Sequence, residues 1–412
     1  MLLAVQFTMR LATVLGLFSA CVSASAAETH RSAPIEAAFW PVPQEIFDDY
    51  PAKCLVFTLQ GLANRETPRV FFDTAGLDID FPESDTAWKK YLETTRVAFE
   101  PIDGGVCGLV RALDVAGIFG GVVAYPDDGF SVFPALTIAG LRDLLPITPA
   151  LADKYPCLAR LPVRADLRPF AFTDKMAAHE WAVEHLLPNC SRSIVFNANM
   201  GHNAVSVQAD STILSVDHPI AQRAFIMDLC PLWKCDPLDC KPPSTRHGTP
   251  EETALYVKIL GELDELVSVW GWSDPEHAFT NITSHAGGVV FCTFSAPNLS
   301  FWAALGLARG TAPLPLPSPD RGMDLDENKY YLVFETNEGD TPRILTSQVR
   351  RNRARAAARE PPRLRPCHHA QFTSAWLSPN RGKVPVSWAV DPLLGQMFPE
   401  LWNGLIGART SV

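Results

Sequence analysis

The chain lacks a long apolar run beyond its first 26 residues. No later stretch of the 412 residues approaches the roughly twenty consecutive apolar residues that a membrane-spanning helix requires. The N-terminus has a single Arg10, the apolar run LATVLGLFSACV, and then Ala24-Ser25-Ala26, which is the small-x-small pattern of a signal-peptidase site. We therefore expect residues 1–26 to be a signal peptide and the mature chain to be secreted, with no membrane span.

The sequence also lacks closely spaced cysteine pairs, although it contains ten cysteines. Cys230, Cys235 and Cys240 recur at a spacing of five residues in CPLWKCDPLDC, and His247 is the nearby imidazole. Structural zinc sites usually use tighter C-x2-C pairs, and secreted chains meet oxidising conditions. We therefore predict a loop tied by disulfides here, with a zinc site as the alternative, and we assign no metal or cofactor to the chain.

One segment reverses the overall acidity of the chain. The net charge is −10, yet residues 349–366 contain seven arginines against the single acid Glu360. This segment lacks the aromatic residues or the amphipathic face that binding to nucleic acid or to anionic lipid would need. We interpret residues 350–371 as a low-complexity basic insertion and predict no nucleic-acid partner.

Three Asn-x-Ser/Thr sequons occur, at Asn189, Asn281 and Asn298. They are acceptors for N-glycosylation if the chain is made in a eukaryotic host, and the secreted product would then be a glycoprotein. Asn298 lies within the apolar segment GGVVFCTFSAPNLSFWAALG. We therefore expect Asn298 to be a buried core or site residue instead.

Apolar patterning predicts an α/β protein of several domains. Runs rich in β-branched and aromatic residues alternate with helical patterns, and Pro and Gly separate them. Asp174 and Thr249 are good helix N-caps, and Pro250 suits a first helical position. The predicted elements are a strand, a helix and a strand within 54–74, a strand in 117–126, a helix over 174–188, a strand in 192–199, a helix over 251–268, a strand over 288–294, a helix over 298–309 and a strand over 329–335. From residue 249 onward this alternation predicts a (β/α) barrel.

Acidic residues follow the last of these strands. Glu335, Glu338 and Asp340 end the segment YYLVFETNEGD, and Asp391 follows the apolar run SWAV. In a (β/α) barrel, residues just past the C-terminal ends of the strands face the substrate. Cleavage of a glycosidic bond needs one protonated and one ionised carboxyl group. These acids are therefore candidate catalytic groups, and Trp388 is a candidate platform for a sugar ring.

The same residues have other interpretations. An acid-Gly-acid sequence in a loop is also typical of a solvated turn or of a calcium site. A tryptophan beside an apolar strand is commonly part of the core. The alternative function is therefore a non-catalytic carbohydrate-binding or cell-surface protein, in which the acids bind calcium or sugar hydroxyls.

These segments resemble the GxGYxYP family of proposed glycoside hydrolases. The resemblance rests on YYLVFETNEGDTPRI and FTSAWLSPNRGKVPVSWAVDPLLGQMFPELW, and upstream on LQGLANRETPRVFF, HEWAVEHLLPNCSRSIVFN, VWGWSDPEHAFT and VVFCTFSAPNLSFWAALG. It implies small α/β N-terminal domains over residues 35–110, 111–165 and 166–245. It also implies an incomplete (β/α) barrel-like domain over residues 249–412 that acts on a carbohydrate.

The resemblance also carries family positions over to this sequence. The matched motifs are Glu338-Gly339-Asp340, Gly271-Trp272 with Glu276, Pro385 with Trp388 and Pro392, and Asn298 with Ser300. The implied catalytic residues are Glu338 and Asp340, with Asp391 and Glu335 as reserves. The implied substrate-binding residues are Trp388, Trp272, Glu276 and Asn298.

The sequence departs from the family pattern in two places. The Gly-x-Gly-Tyr-x-Tyr-Pro motif that names the family is missing before Val412, and the basic segment interrupts the resemblance. We expect a C-terminal truncation, which favours an inactive or unstable C-terminal domain. We interpret the basic segment as unspliced or misassembled coding sequence, with an evolved insertion as the alternative. Without Cys21 and Cys367, eight cysteines remain, and an even number suits a disulfide framework.

Overall fold

A computed structural model describes residues 34–75, 77, 84–198, 212–230, 248–273, 276–293, 296–313, 335–336, 387–388 and 392–407. The described residues from Ile35 onward belong to one compact unit. Their strands pair in parallel and form four sheets, with helices between the strands. The fold class is therefore α/β, and the prediction from the sequence is confirmed. None of the helices in the ranges above is long and apolar enough to cross a bilayer.

The first sheet has the strand order β2-β1-β3. Its strands are β1 (Ile35–Pro41), β2 (Val70–Asp73) and β3 (Val97–Pro101). Its helices are α1 (Gln44–Phe47), α2 (Tyr50–Ala63) and α3 (Ser84–Thr94). Strand β1 lies in the middle, because Phe39 is in register with Phe71 on one side and with Pro101 on the other.

Helix α2 occupies a segment where the sequence predicts a strand, and that prediction is wrong. Every residue of α2 except Pro51 is buried. A helix that is apolar on all sides shows no 3.6-residue pattern, so its sequence looks like that of a buried strand. Asp49 starts the helix by accepting a hydrogen bond from Ala52 N at 3.1 Å. The buried Lys53 lies 4.5 Å from the centroid of the Phe47 ring, which partly compensates its charge.

The second sheet has the strand order β5-β4-β6. Its strands are β4 (Val122–Ala124), β5 (Leu145–Ile147) and β6 (Val163–Asp166), and β4 confirms the strand predicted in 117–126. Its helices are α4 (Gly105–Val115), α5 (Val132–Arg142) and α6 (Pro149–Lys154). A disulfide joins Cys107 of α4 to Cys157, which follows α6.

The third sheet has the strand order β10-β9-β7-β8. Its strands are β7 (Ile194–Asn197), β8 (Phe225–Met227), β9 (Ser268–Gly271) and β10 (Val289–Cys292). Its helices are α7 (Lys175–His185), α8 (Asp217–Ala221), α9 (Pro250–Gly261) and α10 (Glu276–His285). The predicted domain boundary between residues 245 and 249 falls inside this sheet, since β7 and β8 precede it and β9 and β10 follow it.

Two helices of the third sheet begin where the sequence predicts. Asp174 accepts a hydrogen bond from Ala177 N at 2.9 Å, and Thr249 accepts one from Glu252 N at 3.1 Å. The helix predicted over 251–268 is too long, however, because α9 ends at Gly261 and β9 begins at Ser268. Leu266 between them has φ 63°, a conformation that a bulky residue rarely adopts and that its sequence does not reveal.

The remaining elements are α11 (Leu299–Arg309), β11 (Glu335–Thr336), β12 (Ser387–Trp388), α12 (Pro392–Met397) and α13 (Pro399–Gly407). Helix α11 confirms the helix predicted over 298–309. Strands β11 and β12 form the fourth sheet. Arg309 Nη1 lies 3.0 Å from Glu400 Oε2, and this ion pair joins α11 to α13. The barrel predicted from residue 249 onward stays a prediction.

Asn298 attaches α11 to the first sheet. Its Oδ1 accepts hydrogen bonds from Gln60 Nε2 at 2.6 Å and from Phe72 N at 2.7 Å, and its Nδ2 donates to Phe72 O at 2.8 Å. The residue is 1% exposed and has φ 66°, which asparagine tolerates better than most residues. Asn298 is therefore buried, as the sequence predicts.

The six cysteines within the described ranges do not form the predicted disulfide framework. Cys107 and Cys157 are bonded to each other, whereas the buried Cys190 and Cys230 are free thiols. The predicted disulfide at Cys230 is wrong, because Cys230 is a free thiol, 2% exposed and packed inside the fold. Cys235 and Cys240 lie outside the described residues.

Candidate functional site

The third sheet has a topological switch point at the carboxyl ends of β7 and β9. The chain passes from β7 to β8 on one side and from β9 to β10 on the other. The connections that leave β7 and β9 therefore diverge. Ligands of open parallel sheets bind outside the carboxyl ends of strands at such a point. The carboxyl edge between β7 and β9 is the candidate functional site.

Gly271 and Asn197 hold these two strand ends together. Gly271 has φ 97°, and a Cβ atom on it would lie 2.2 Å from Asn197 O. Trp272 N donates a hydrogen bond to the same carbonyl oxygen at 3.1 Å. Glycine is required at this turn, because any side chain would clash with the neighbouring strand. The turn places Trp272 at the switch point, directly after β9.

Side chains extend the strand pairing along this edge. Asn197 Nδ2 donates to Leu229 O at 3.1 Å, and its Oδ1 accepts from Leu229 N at 3.0 Å. On the other side, Thr293 Oγ1 accepts hydrogen bonds from Gly271 N and from Ser215 Oγ, both at 2.9 Å. Buried hydrogen bonds of this kind fix the positions of the groups that carry them. The edge is therefore polar and rigid.

A buried charged cluster lies at the carboxyl end of β8. Lys175 Nζ is 3.0 Å from Glu252 Oε1 and 3.9 Å from Asp228 Oδ2. Asp228 is 5% exposed and Glu252 is 4% exposed. Burial by itself lowers the pKa of Lys175, but the two carboxylates outweigh burial and raise this pKa. One ammonium group thus faces two carboxyl groups, and the cluster has a negative balance when all three are ionised.

His179 and Cys230 complete the cluster in uncharged forms. His179 Nε2 accepts a hydrogen bond from Asp228 N at 3.0 Å, and its Nδ1 lies 2.8 Å from Lys175 O. These partners assign the proton to Nδ1, and burial lowers the pKa of His179 to about 4. Burial also raises the pKa of the Cys230 thiol to about 12, which makes it a poor nucleophile.

The two parts of the edge touch at one contact. Ser273 Oγ, just past β9, lies 3.8 Å from Cys230 Sγ, and Cys230 N donates to Glu252 Oε2 at 2.8 Å. The edge therefore combines the half-buried indole of Trp272 with hydroxyl, ammonium and carboxylate groups that are buried and bonded within the protein. The described part of the chain contains no group of three His, Cys, Asp or Glu side chains that could hold a metal ion.

Two of the predicted site residues, Glu335 and Trp388, belong to strands β11 and β12. They pair in parallel, with Glu335 opposite Ser387 and Thr336 opposite Trp388. Glu335 and Trp388 are therefore on neighbouring strands. Glu338, Asp340 and Asp391 lie outside the described residues. Because the strands are parallel, their carboxyl ends lie at the same edge.

Trp272, Glu276 and Asn298 lie at three different places. Trp272 is at the switch point and is half-buried, with its ring 6.2 Å from that of Phe279. Glu276 is the first residue of α10, the helix that follows β9. Asn298 is further away in the chain, and its amide is used within the protein to join α11 to β2. A substrate contact for each of the three stays a prediction.

The sequence-based prediction omitted the charged cluster. Asp228 follows β8 directly, so the rule that selected Asp391 would have selected Asp228 as well if the strand FIM had been recognised. That strand is only three residues long, too short for a pattern to show. Lys175 and Glu252 carry no sequence signal, because long-range packing alone brings them together.

Comparison with known proteins identifies a shared fold. No protein-family model matches the chain, and no curated protein matches it either. Among solved structures, the chain is similar to a proposed hydrolase from Bacteroides thetaiotaomicron, with a TM-score of 0.64 and 16% sequence identity. The similarity covers 92% of this chain and 62% of the hydrolase chain. This chain therefore spans less than two thirds of the length of the hydrolase chain. The family resemblance described above stays a prediction.

Proposed function

We propose that the chain is a secreted hydrolase that cleaves glycosidic bonds in a carbohydrate. Glu338 and Asp340 are the carboxyl pair, and Asp391 and Glu335 are the reserves. The observation that supports this most directly is the parallel pairing of β11 with β12, which places the carboxyl ends of both strands at one edge. Acids gathered at one edge are the arrangement that acid and base catalysis of glycoside cleavage requires.

The proposed reaction divides two tasks between the acids. One carboxyl group stays protonated and donates its proton to the leaving oxygen, while the other is ionised and serves as nucleophile or base. Trp388 and Trp272 supply flat apolar surfaces for sugar rings, and Glu276 and Asn298 supply hydrogen-bonding groups. The position of Trp272 at the switch point supports its role.

Secretion is part of the same proposal. The N-terminal residues 1–26 have the pattern of a signal peptide. The disulfide between Cys107 and Cys157 supports export, because such bonds persist in oxidising compartments and are rare in the cytosol.

The proposal predicts that the carboxyl pair is essential for hydrolysis. We expect Glu338→Gln and Asp340→Asn, each in the full chain, to lower the rate of reducing-end release from a responsive polysaccharide by roughly 10²- to 10⁴-fold. A broad polysaccharide panel is screened first with the unmodified chain. The anomer released first, measured by NMR, then distinguishes retention from inversion.

Two exposed acids away from the proposed pair provide the control. Glu265→Gln, just before β9, and Asp153→Asn, in α6, remove the same charges from the surface. We expect both to keep full activity. If the Glu338 and Asp340 variants hydrolyse as well as these controls, the catalytic assignment is wrong. Glycan binding that disappears in EDTA, without any hydrolysis, would favour the non-catalytic calcium-dependent alternative.

A further inference from the structure

A polar cavity of about 250 Å³ lies away from the candidate functional site. Its lining comes from the connections that lead into β2, β4, β5 and β8. The cavity is therefore at the amino ends of these strands, whereas the candidate site is at the carboxyl edge of the third sheet. Five charged residues line it: Arg65, Glu66, Arg69, Asp143 and Arg223.

Arg65 forms a fixed wall of this cavity. Its Nη2 donates hydrogen bonds to Gly140 O at 2.7 Å and to Ile220 O at 3.0 Å, and its Nε donates to Ala221 O at 3.1 Å. These carbonyl groups are at the C-terminal ends of α5 and α8, where carbonyls lack partners within the helix. Arg65 also pairs with Asp143. Its guanidinium group is therefore held in one orientation.

Arg69 and Arg223 differ from Arg65 because they are exposed and unpaired. Among the described residues, neither guanidinium group makes an ion pair or a side-chain hydrogen bond. Burial, opposed by Asp143, lowers the pKa of Arg65, and the positive charge of Arg223 lowers it further. Three guanidinium groups thus share the cavity with two carboxylates, and Asp143 is already used by Arg65. The free side of the cavity has an excess of positive charge.

Backbone strain is concentrated at the same place. Asp143 and Arg223 both have φ 55°, and they are two of six non-glycine residues with positive φ in the described ranges. Asp143 is the C-cap of α5 and Arg223 follows α8, so the left-handed conformation ends both helices at this cavity. The backbone of Arg223 is held by hydrogen bonds from its N to Ile220 O at 3.1 Å and from Ser191 N to its O at 2.9 Å, whereas its guanidinium group has no partner among the described residues.

We propose that this cavity binds a small oxyanion, namely a phosphate, sulfate or carboxylate group, between Arg69 and Arg223 with Arg65 behind it. Planar guanidinium groups bind such oxygens in pairs, with strong charge-assisted hydrogen bonds. A volume of about 250 Å³ equals that of roughly eight water molecules, which accommodates an oxyanion alone or one attached to a single sugar ring. The inference does not depend on the proposed hydrolase activity.

Calorimetric titration of the full chain with sodium sulfate and with inorganic phosphate tests this site, at an ionic strength held constant with chloride. The test variant is Arg69→Gln/Arg223→Asn, since asparagine tolerates the left-handed conformation. We expect the dissociation constant to rise by about tenfold or more, because each charge-assisted hydrogen bond lost is worth about that factor. The single variant Arg69→Gln, at an exposed position, gives a second measurement if the double variant does not fold.

The matched control is Arg111→Gln/Arg160→Gln, which removes two exposed arginines elsewhere. We expect this variant to bind sulfate as the unmodified chain does. Equal weakening in both double variants, or no binding of either anion at millimolar concentration, would overturn the proposal. Titration with glucuronic acid, a sulfated monosaccharide and neutral glucose identifies the source of the anion. Acidic sugars that bind more tightly than the inorganic ions indicate a glycan, and the reverse order indicates a free ion.

Discussion

At the scale of single residues, buried polar groups join segments that are far apart in the sequence. Asn298 hydrogen-bonds to both backbone groups of Phe72, and Ser300 donates to Asp217 Oδ2 through its N at 2.8 Å and its Oγ at 2.6 Å. Both contacts are made by the first turn of α11. The sequence correctly indicates that Asn298 is buried, because its neighbours are apolar, but it cannot indicate the partner, which is more than 200 residues away.

Asp217 provides a prediction about pH. Burial raises its pKa to about 7, although the hydrogen bonds from Ser300 lower it. Asp217 Oδ1 has no hydrogen-bond partner within the described residues, so it suits a proton. A carboxyl group whose pKa is raised on folding stabilises the protein below its unfolded pKa, and this contribution is lost as pH rises toward 7. We therefore expect Asp217→Asn to gain stability relative to the unmodified chain between pH 4 and pH 7, by a few kcal/mol in total.

Urea unfolding at pH 4, 5.5, 7 and 8 measures this difference. The free energy of unfolding of the unmodified chain does not by itself isolate Asp217. Burial lowers the pKa of His179 to about 4 and of His218 to about 3, so these histidines make the free energy of unfolding rise with pH, opposite to Asp217. The difference between variant and unmodified chain removes these histidines from the comparison. Asp153→Asn, at an exposed position, is the control for removal of a surface carboxyl group. A constant difference for Asp217→Asn would show that this carboxyl group titrates normally.

At the scale of secondary structure, the close approach of β9 to β7 depends on Gly271. Gly271→Ala would place a Cβ atom 2.2 Å from Asn197 O at φ 97°. Gly287→Ala is a matched control, because Gly287 also has positive φ, 82°, but has open space around it. We expect Gly287→Ala to cost about 1 kcal/mol for the backbone alone, and Gly271→Ala to cost at least about 2 kcal/mol more. Chemical denaturation of both variants measures the two costs.

The same pair of glycines tests the candidate site. Gly271→Ala pushes the carboxyl end of β9 away from β7 and so displaces Trp272. We expect any glycan bound by the unmodified chain to bind more weakly to this variant, and to bind normally to Gly287→Ala. Equal stability of the two variants would mean that β7 and β9 are further apart than the structure shows.

A helix or strand can be predicted from the sequence when the interactions that form it lie between residues close together in the chain. The starts of α7 and α9 follow from Asp174 and Thr249, which act on residues three positions away, and both are predictable. Helix α2 is not, because burial on all sides removes its periodicity. The family resemblance implies that Trp272 binds substrate. Its place at the switch point depends on the strand order, which a single sequence does not specify.

At the scale of the whole molecule, contacts between distant segments join four parallel sheets into one compact unit. Arg65 binds carbonyls of α5 and α8, and Arg309 of α11 binds Glu400 of α13. None of these pairs has a sequence pattern. Composition and alternation are therefore sufficient to predict the α/β class, whereas the charged cluster of Lys175, Asp228 and Glu252 requires the folded structure.

The disulfide acts at the same scale. It joins α4 to the residue before the turn at Leu158–Arg160, across a sequence separation of 50 residues. Closing a loop of that length restricts the unfolded chain and stabilises the fold by about 4 kcal/mol on the chain-entropy model. We expect Cys107→Ser/Cys157→Ser to lower the free energy of unfolding by up to that amount, with Cys190→Ser as the control for replacement of a free thiol. Dithiothreitol should lower the free energy of unfolding of the unmodified chain by the same amount as the double substitution does. It should leave the free energy of unfolding of the double variant unchanged. Peptide mapping of the exported protein that finds Cys107 and Cys157 alkylated without prior reduction would contradict both the bond and the argument for secretion that rests on it.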